Sequence, residues 1–187
     1  MSNNIRHFNK SASSKRAKPD DILLALDIKS GMNVLEIGVG GGYYVSKFAG
    51  MVGPSGIVCG VDTEKEFIDH LSQLNEESRY RNIRPILISG VEDILNVGIR
   101  FDVLFTRNAY HHLKNRAEYF RALSRALKPD CIIAIIDYNE SLFSLTRILG
   151  HYTKKETIVD EQRAAGNELV REVSIFTKQS FLLFRKQ

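Results

Sequence analysis

The apolar positions of the chain fall into short, unbroken runs divided by turn residues. The runs at 33–37, 56–61, 83–88, 101–106 and 131–137 are each long enough for one strand. They are too continuous for strands with one wet face, and they suit parallel strands covered on both sides. Between them lie stretches with helical spacing at 43–49, 64–74 and 115–127, and a short helical turn at 91–95. A first short helix is expected at 22–26, behind the helix-starting Pro19-Asp20-Asp21. Lys128-Pro129-Asp130 reads as a stop before the fifth strand. Strands that alternate with helices predict an open α/β sheet with right-handed crossovers.

The C-terminal part changes texture. A helix over 153–165 is stopped at Gly166, and strands over 169–175 and 179–184 follow across the short turn Phe176-Thr177-Lys178. A link that short joins antiparallel neighbours. The fold class predicted is therefore α/β, a Rossmann-like, doubly wound and mostly parallel seven-stranded sheet with one antiparallel C-terminal strand.

A length of 187 residues suits one domain with a full core. The longest apolar stretch within a strand, 131–136, is far too short to span a bilayer, and no signal-peptide core follows Met1. A cytoplasmic protein without a membrane span is the expectation. Cys59 and Cys131 both fall in apolar strands, where a thiol packs as a small hydrophobe, so neither a disulfide framework nor a metal site is expected.

The net charge of +4 is local in origin. Residues 1–18 carry Arg6, Lys10, Lys15, Arg16 and Lys18 and no acid; beyond them 21 basic residues face 22 acidic ones. A flexible basic N-terminal tail (1–18) ahead of one domain (19–187) is the reading. Such a tail either holds RNA or an anionic surface by counterion release or is a solvated leader, and the second is favoured.

The sharpest local feature is Glu36-Ile37-Gly38-Val39-Gly40-Gly41-Gly42-Tyr43, where a strand enters, glycines turn and a helix leaves. Glycines there let a ligand approach bare backbone. A phosphate-binding loop of the Walker type needs Gly-Lys-Ser/Thr, which Tyr43-Tyr44-Val45 does not supply. A dinucleotide fingerprint wants Gly or Ala three residues after Gly40, where Tyr43 stands instead. An acid two residues before the first glycine, Glu36-x-Gly38-x-Gly40-x-Gly42, resembles the first motif of the class I S-adenosylmethionine-dependent methyltransferases. Asp62, twenty residues after Gly42, ends the next strand as the ribose-binding acid of that family does. Taken alone, Asp62 would read as a helix cap, and Glu36 as a carboxylate tying down the loop.

The resemblance runs over 19–137 and continues more weakly to 187. It is similar to small generic and ubiquinone/menaquinone-type methyltransferases. It implies S-adenosylmethionine as cofactor, held by Glu36, Gly38, Gly40, Gly42, Tyr43, Asp62, Thr63, Val91, Glu92 and Arg107. One departure is Gly90, which stands where the family's adenine-capping Asp is usual, so that Glu92, Asp93 or backbone atoms would have to substitute. Tyr43 and Tyr44 are expected to wall the methionine end, with one of them in the core.

The segment Arg107-Asn108-Ala109-Tyr110-His111-His112-Leu113 resembles the acceptor-facing motif of the small-molecule branch. It lacks the paired prolines of the amino-methylating DNA enzymes and the nucleophilic Cys of cytosine-C5 methylation. His111 is the candidate general base, with His112, His151 and Tyr152 as further pocket candidates. Against this stands a packing role for the histidines, since methyl transfer from a sulfonium needs mostly alignment. The function expected is methyl transfer to a small-molecule acceptor by direct displacement. The alternatives are an RNA or protein methyltransferase recruited by the basic tail, and a cofactor-binding subunit without catalysis.

Overall fold

The computed structural model describes residues 2–139 and 152–186. Its strands are β1 (Asn33–Ile37), β2 (Ile57–Asp62), β3 (Ile83–Leu87), β4 (Phe101–Arg107), β5 (Leu127–Tyr138), β6 (Asn167–Glu172) and β7 (Gln179–Lys186). They form one sheet in the order β3-β2-β1-β4-β5-β7-β6. Strands β1 to β5 pair in parallel, and β7 runs antiparallel to both β5 and β6. The single reversed strand is the one expected from the short turn after β6.

Two apolar layers explain the unbroken runs. Successive side chains of a strand point to opposite faces. Val34, Val103, Phe105, Ala134 and Ile136 join one core layer, whereas Leu35, Leu104, Ile133 and Ile135 join the other. Helices α1 (Asn3–Ala12), α2 (Pro19–Leu26), α3 (Tyr43–Val52) and α4 (Lys65–Glu77) supply partners to the first layer. Helices α5 (Val91–Leu95), α6 (Arg116–Leu123) and α7 (Lys155–Ala164) cover the second. Cys59 and Cys131 lie fully inside the second layer, where burial pushes each thiol up to about 12. Among the described residues no helix is long and apolar enough to cross a membrane.

Three expectations are corrected. Within the segment read as a flexible tail, residues 3–12 form α1. Ser2 caps it, its Oγ accepting the Ile5 N–H at 3.3 Å, and Ile5 is buried against the first layer. Lys128-Pro129-Asp130 does not end an element. The three residues bulge out of β5 while Leu127 and Ile132 stay paired with Phe101 and Val103. Lys128 Nζ fastens the bulge by pairing with both oxygens of Asp102, at 2.9 and 2.8 Å. Strand β6 starts earlier and ends sooner than expected, and five of its six residues are exposed because it is the sheet edge.

In this order the chain reverses direction between β1 and β4, the switch point where open α/β sheets bind ligands at the carboxyl ends of their strands.

Candidate active site

A cavity of about 740 Å³ opens at that switch point, within the ~300–1,000 Å³ range of small-molecule sites. Its walls come from the ends of β1, β2, β4 and β5, from the glycine loop and from α1.

The loop turns at Gly38, whose φ is +79° and where a Cβ would lie 2.4 Å from the Cβ of Ala109. Only glycine tolerates both conditions at once. Asp62 ties the next turn down. Its Oδ2 accepts the Gly40 N–H at 3.3 Å, and its Oδ1 accepts the Glu64 N–H at 3.1 Å. The loop-fastening role is therefore present. Each carboxylate oxygen keeps a further lone pair, so Asp62 can also accept ligand hydroxyls.

Glu36 is the most constrained charge in the site. Its side chain is 3% exposed, and Oε2 is buried with no hydrogen-bond partner. Burial raises its carboxyl well above the ordinary range, and the charge of Asp62 adds to the effect. Arg107 and the Val45 N–H in the first turn of α3 pull it down. A carboxylate in this position is short of one cation or donor, and a ligand ammonium would supply it. Arg107 is half-buried at the end of β4, with its guanidinium 5.8 Å from the centre of the Tyr44 ring and its Nε unpartnered.

A second cluster lines the cavity around His111. The 3₁₀ turn Tyr110–His112 follows β4, and its Tyr110 is fully buried. The Tyr110 hydroxyl donates to Glu161 Oε2 at 2.8 Å, and Arg116 grips the same carboxylate through Nε and Nη2 at 2.7 and 2.8 Å. This clamp fixes the turn to α7. His111 Nδ1 lies 2.7 Å from Asp137 Oδ1 at the end of β5; the His111 side chain is 5% exposed and that of Asp137 is fully buried. A carboxylate only accepts, so Nδ1 supplies the hydrogen of this contact. The ring of His112 lies 4.1 Å from that of His111, centre to centre.

Of the residues assigned from sequence, Glu36, Gly38, Gly40, Tyr43, Asp62, Thr63, Arg107 and His111 converge on the cavity, as do Tyr44 and His112. Tyr44 is also the core tyrosine of the pair, at 3% exposure. Gly42 does not border the cavity; it caps α3 and packs against Leu71. Val91 packs into the second core layer, and Glu92 is exposed, 3.9 Å from Arg125. Asp93 is consumed locally, its Oδ2 accepting the N–H groups of Ser89 and Gly90. From this part of the chain Ile88 borders the cavity instead. Tyr152 does not border the cavity, and His151 lies outside the described residues.

Two parts of the site were missed. Asp137 ends an apolar run 26 residues after His111, and nothing local in the sequence couples them. Helix α1 contributes His7, Phe8 and Asn9 to the wall. Its signal was the spacing of Ile5, Phe8 and Ala12, one stripe at i, i+3 and i+7.

The family model described as "Methyltransferase domain" matches residues 28–180. The chain belongs to that methyltransferase domain family. A curated protein-L-isoaspartate O-methyltransferase of Methanothrix thermoacetophila is 43% identical over 65 residues, which are 35% of this chain and 31% of that protein. One of the same name from Methanocella arvoryzae is 27% identical over 138 residues, 74% of this chain and 63% of that protein. The matches thus span less than two thirds of these relatives. A SAM-dependent methyltransferase from Aquifex aeolicus shares the fold with a TM-score of 0.82 at 20% identity, over 96% of this chain and 95% of that one.

Proposed function

We propose that this methyltransferase carries the methyl group of S-adenosylmethionine to a small-molecule acceptor whose nucleophilic atom bears a proton. The observation that carries the cofactor part is the pairing of two strand-end acids around one glycine loop. Glu36 has an unpartnered buried oxygen for the ammonium, and Asp62 has lone pairs for the ribose hydroxyls. The sulfonium and ammonium make the cofactor net cationic at this end, which complements Glu36 and Asp62. When bound, the cofactor supplies an electrophilic methyl group and departs as the thioether.

The chain's own residues do the rest. The glycine loop and Asp62 hold the donor side, and Arg107 is available to a carboxylate. His111 Nε2 takes the proton from the acceptor's O–H or N–H as the methyl–acceptor bond forms. Asp137 keeps the imidazole in the tautomer that can accept it and stabilises the imidazolium that results. The named relatives support methyl transfer to oxygen, but the matches cover less than two thirds of those proteins and bring no protein acceptor with them. The cavity volume of about 740 Å³ suits a small molecule.

Incubation of the chain with methyl-labelled cofactor and a cell extract tests this reading. Label is expected in the small-molecule fraction. Label confined to protein or RNA would overturn the small-molecule acceptor, and no transferred label in any fraction would overturn catalysis.

A further inference from the structure

Helix α1 occupies an unexpected place for a basic N-terminal segment. It lies directly on the glycine loop. A Cβ at Gly41 would stand 2.5 Å from Asn9 Oδ1 and 2.7 Å from the Ile5 carbonyl oxygen, so the loop is bare where α1 crosses it. One residue earlier, a Cβ at Gly40 would touch the Phe8 ring at 3.3 Å.

Two side chains of α1 are left incomplete by their surroundings. Phe8 meets Phe67 of α4 edge-on at 5.5 Å yet remains 47% exposed while bordering the cavity. Asn9 also borders the cavity, and its Oδ1 is buried with no hydrogen-bond partner. A buried amide oxygen without a donor is costly, and a half-exposed aromatic at a cavity mouth is an unused apolar surface. A ligand with an apolar ring and with N–H or O–H donors completes both. A ten-residue helix is marginal by itself, so its order depends on what it packs against. Ile5, Phe67 and α3 anchor α1 at the loop, and its other side borders the cavity.

We propose that α1 is part of the cofactor site, with Phe8 and Asn9 as cofactor contacts that fasten the helix over the bound ligand. This rests on the proposed identity of the cofactor. It makes the first twelve residues a wall of the site in place of a leader. The exposed Lys10 then reports on it, because trypsin reaches a lysine within a helix only when the helix opens.

The test uses the full chain and S-adenosylhomocysteine as the probe. Saturating probe is expected to slow tryptic cleavage at Lys10 by about tenfold or more, by binding the closed form alone. Cleavage at the exposed Arg81, in the turn before β3, should change far less. The double variant Phe8→Ala, Asn9→Ala should lose this protection and bind the probe about tenfold more weakly. If the wild-type chain binds the probe but Lys10 is cut equally fast with and without it, the inference is overturned, whether or not the variant folds. If the wild-type chain binds no probe, the cofactor assignment falls first and this inference with it.

Discussion

Replacing Glu36 by glutamine is expected to weaken S-adenosylmethionine binding roughly 10- to 150-fold, the equivalent of one charge-assisted hydrogen bond at about 1.5–3 kcal/mol. The shape of the side chain is kept, so the loss isolates the charge proposed to face the cofactor's ammonium. The cofactor-free variant should be at least as stable as the wild type. Burial holds the Glu36 carboxyl well above its ordinary value of 4.5, so the folded chain favours the neutral acid. A raised pKa contributes stability below the unfolded-state value, and that stability is lost as pH rises through the folded-state value. Glutamine mimics the neutral acid at every pH. The Tm of the variant should therefore meet or exceed that of the wild type, with the gap widening as pH climbs above the usual carboxylate range. Cofactor binding runs the other way in the wild type. A cationic ligand favours the carboxylate, so binding releases a proton and tightens as pH rises through the same window. Thermal melts and calorimetry at several pH values check both signs. A glutamine variant that binds as tightly as the wild type would remove Glu36 from the site.

The second large effect belongs to His111. Its replacement by alanine should lower kcat about 10²- to 10⁴-fold, the range for a positioned general base, while cofactor affinity is retained. Added imidazole should restore part of the rate, a recovery that a purely structural defect would not show. Asp137→Asn is expected to lower kcat by less, with KM little changed, because the amide keeps the contact but not the charge that supports the imidazolium. Full activity in the alanine variant would mean that alignment alone drives transfer and that the His111–Asp137 pair is a packing feature.

Much of the scaffold was legible in the sequence because its signals are local. The limits of β1 and α5 agree with the expectation, since each is a short apolar run or turn bounded by glycine or polar residues. The reversed last strand followed from the shortness of the turn before it. What was misread depends on contacts between distant residues. Lys128-Pro129-Asp130 looks like a stop, yet Asp102 holds it as a bulge within a strand. Ile5 and Phe8 are too few to predict a helix unless the glycine loop and Phe67 are known to receive them.

The site divides the same way. Glu36, Gly38 and Gly40 share one strand end and its loop, and Asp62 ends the neighbouring strand, so their spacing placed them. Gly42, Val91 and Glu92 sit at the right distance in sequence, but their direction was not readable. Gly42 faces α4, Val91 faces the core and Glu92 faces outward. Asp93, weighed as a substitute for the missing adenine cap, is spent on the backbone of Ser89 and Gly90. Asp137 became visible only when β5 was laid beside β4.

The central claim is that the glycine loop, Glu36 and Asp62 form a site for S-adenosylmethionine. Titration calorimetry of the full chain with S-adenosylmethionine and with S-adenosylhomocysteine tests it most directly. Saturable binding of both is predicted, with proton release on binding each. The absence of binding by either would contradict the account.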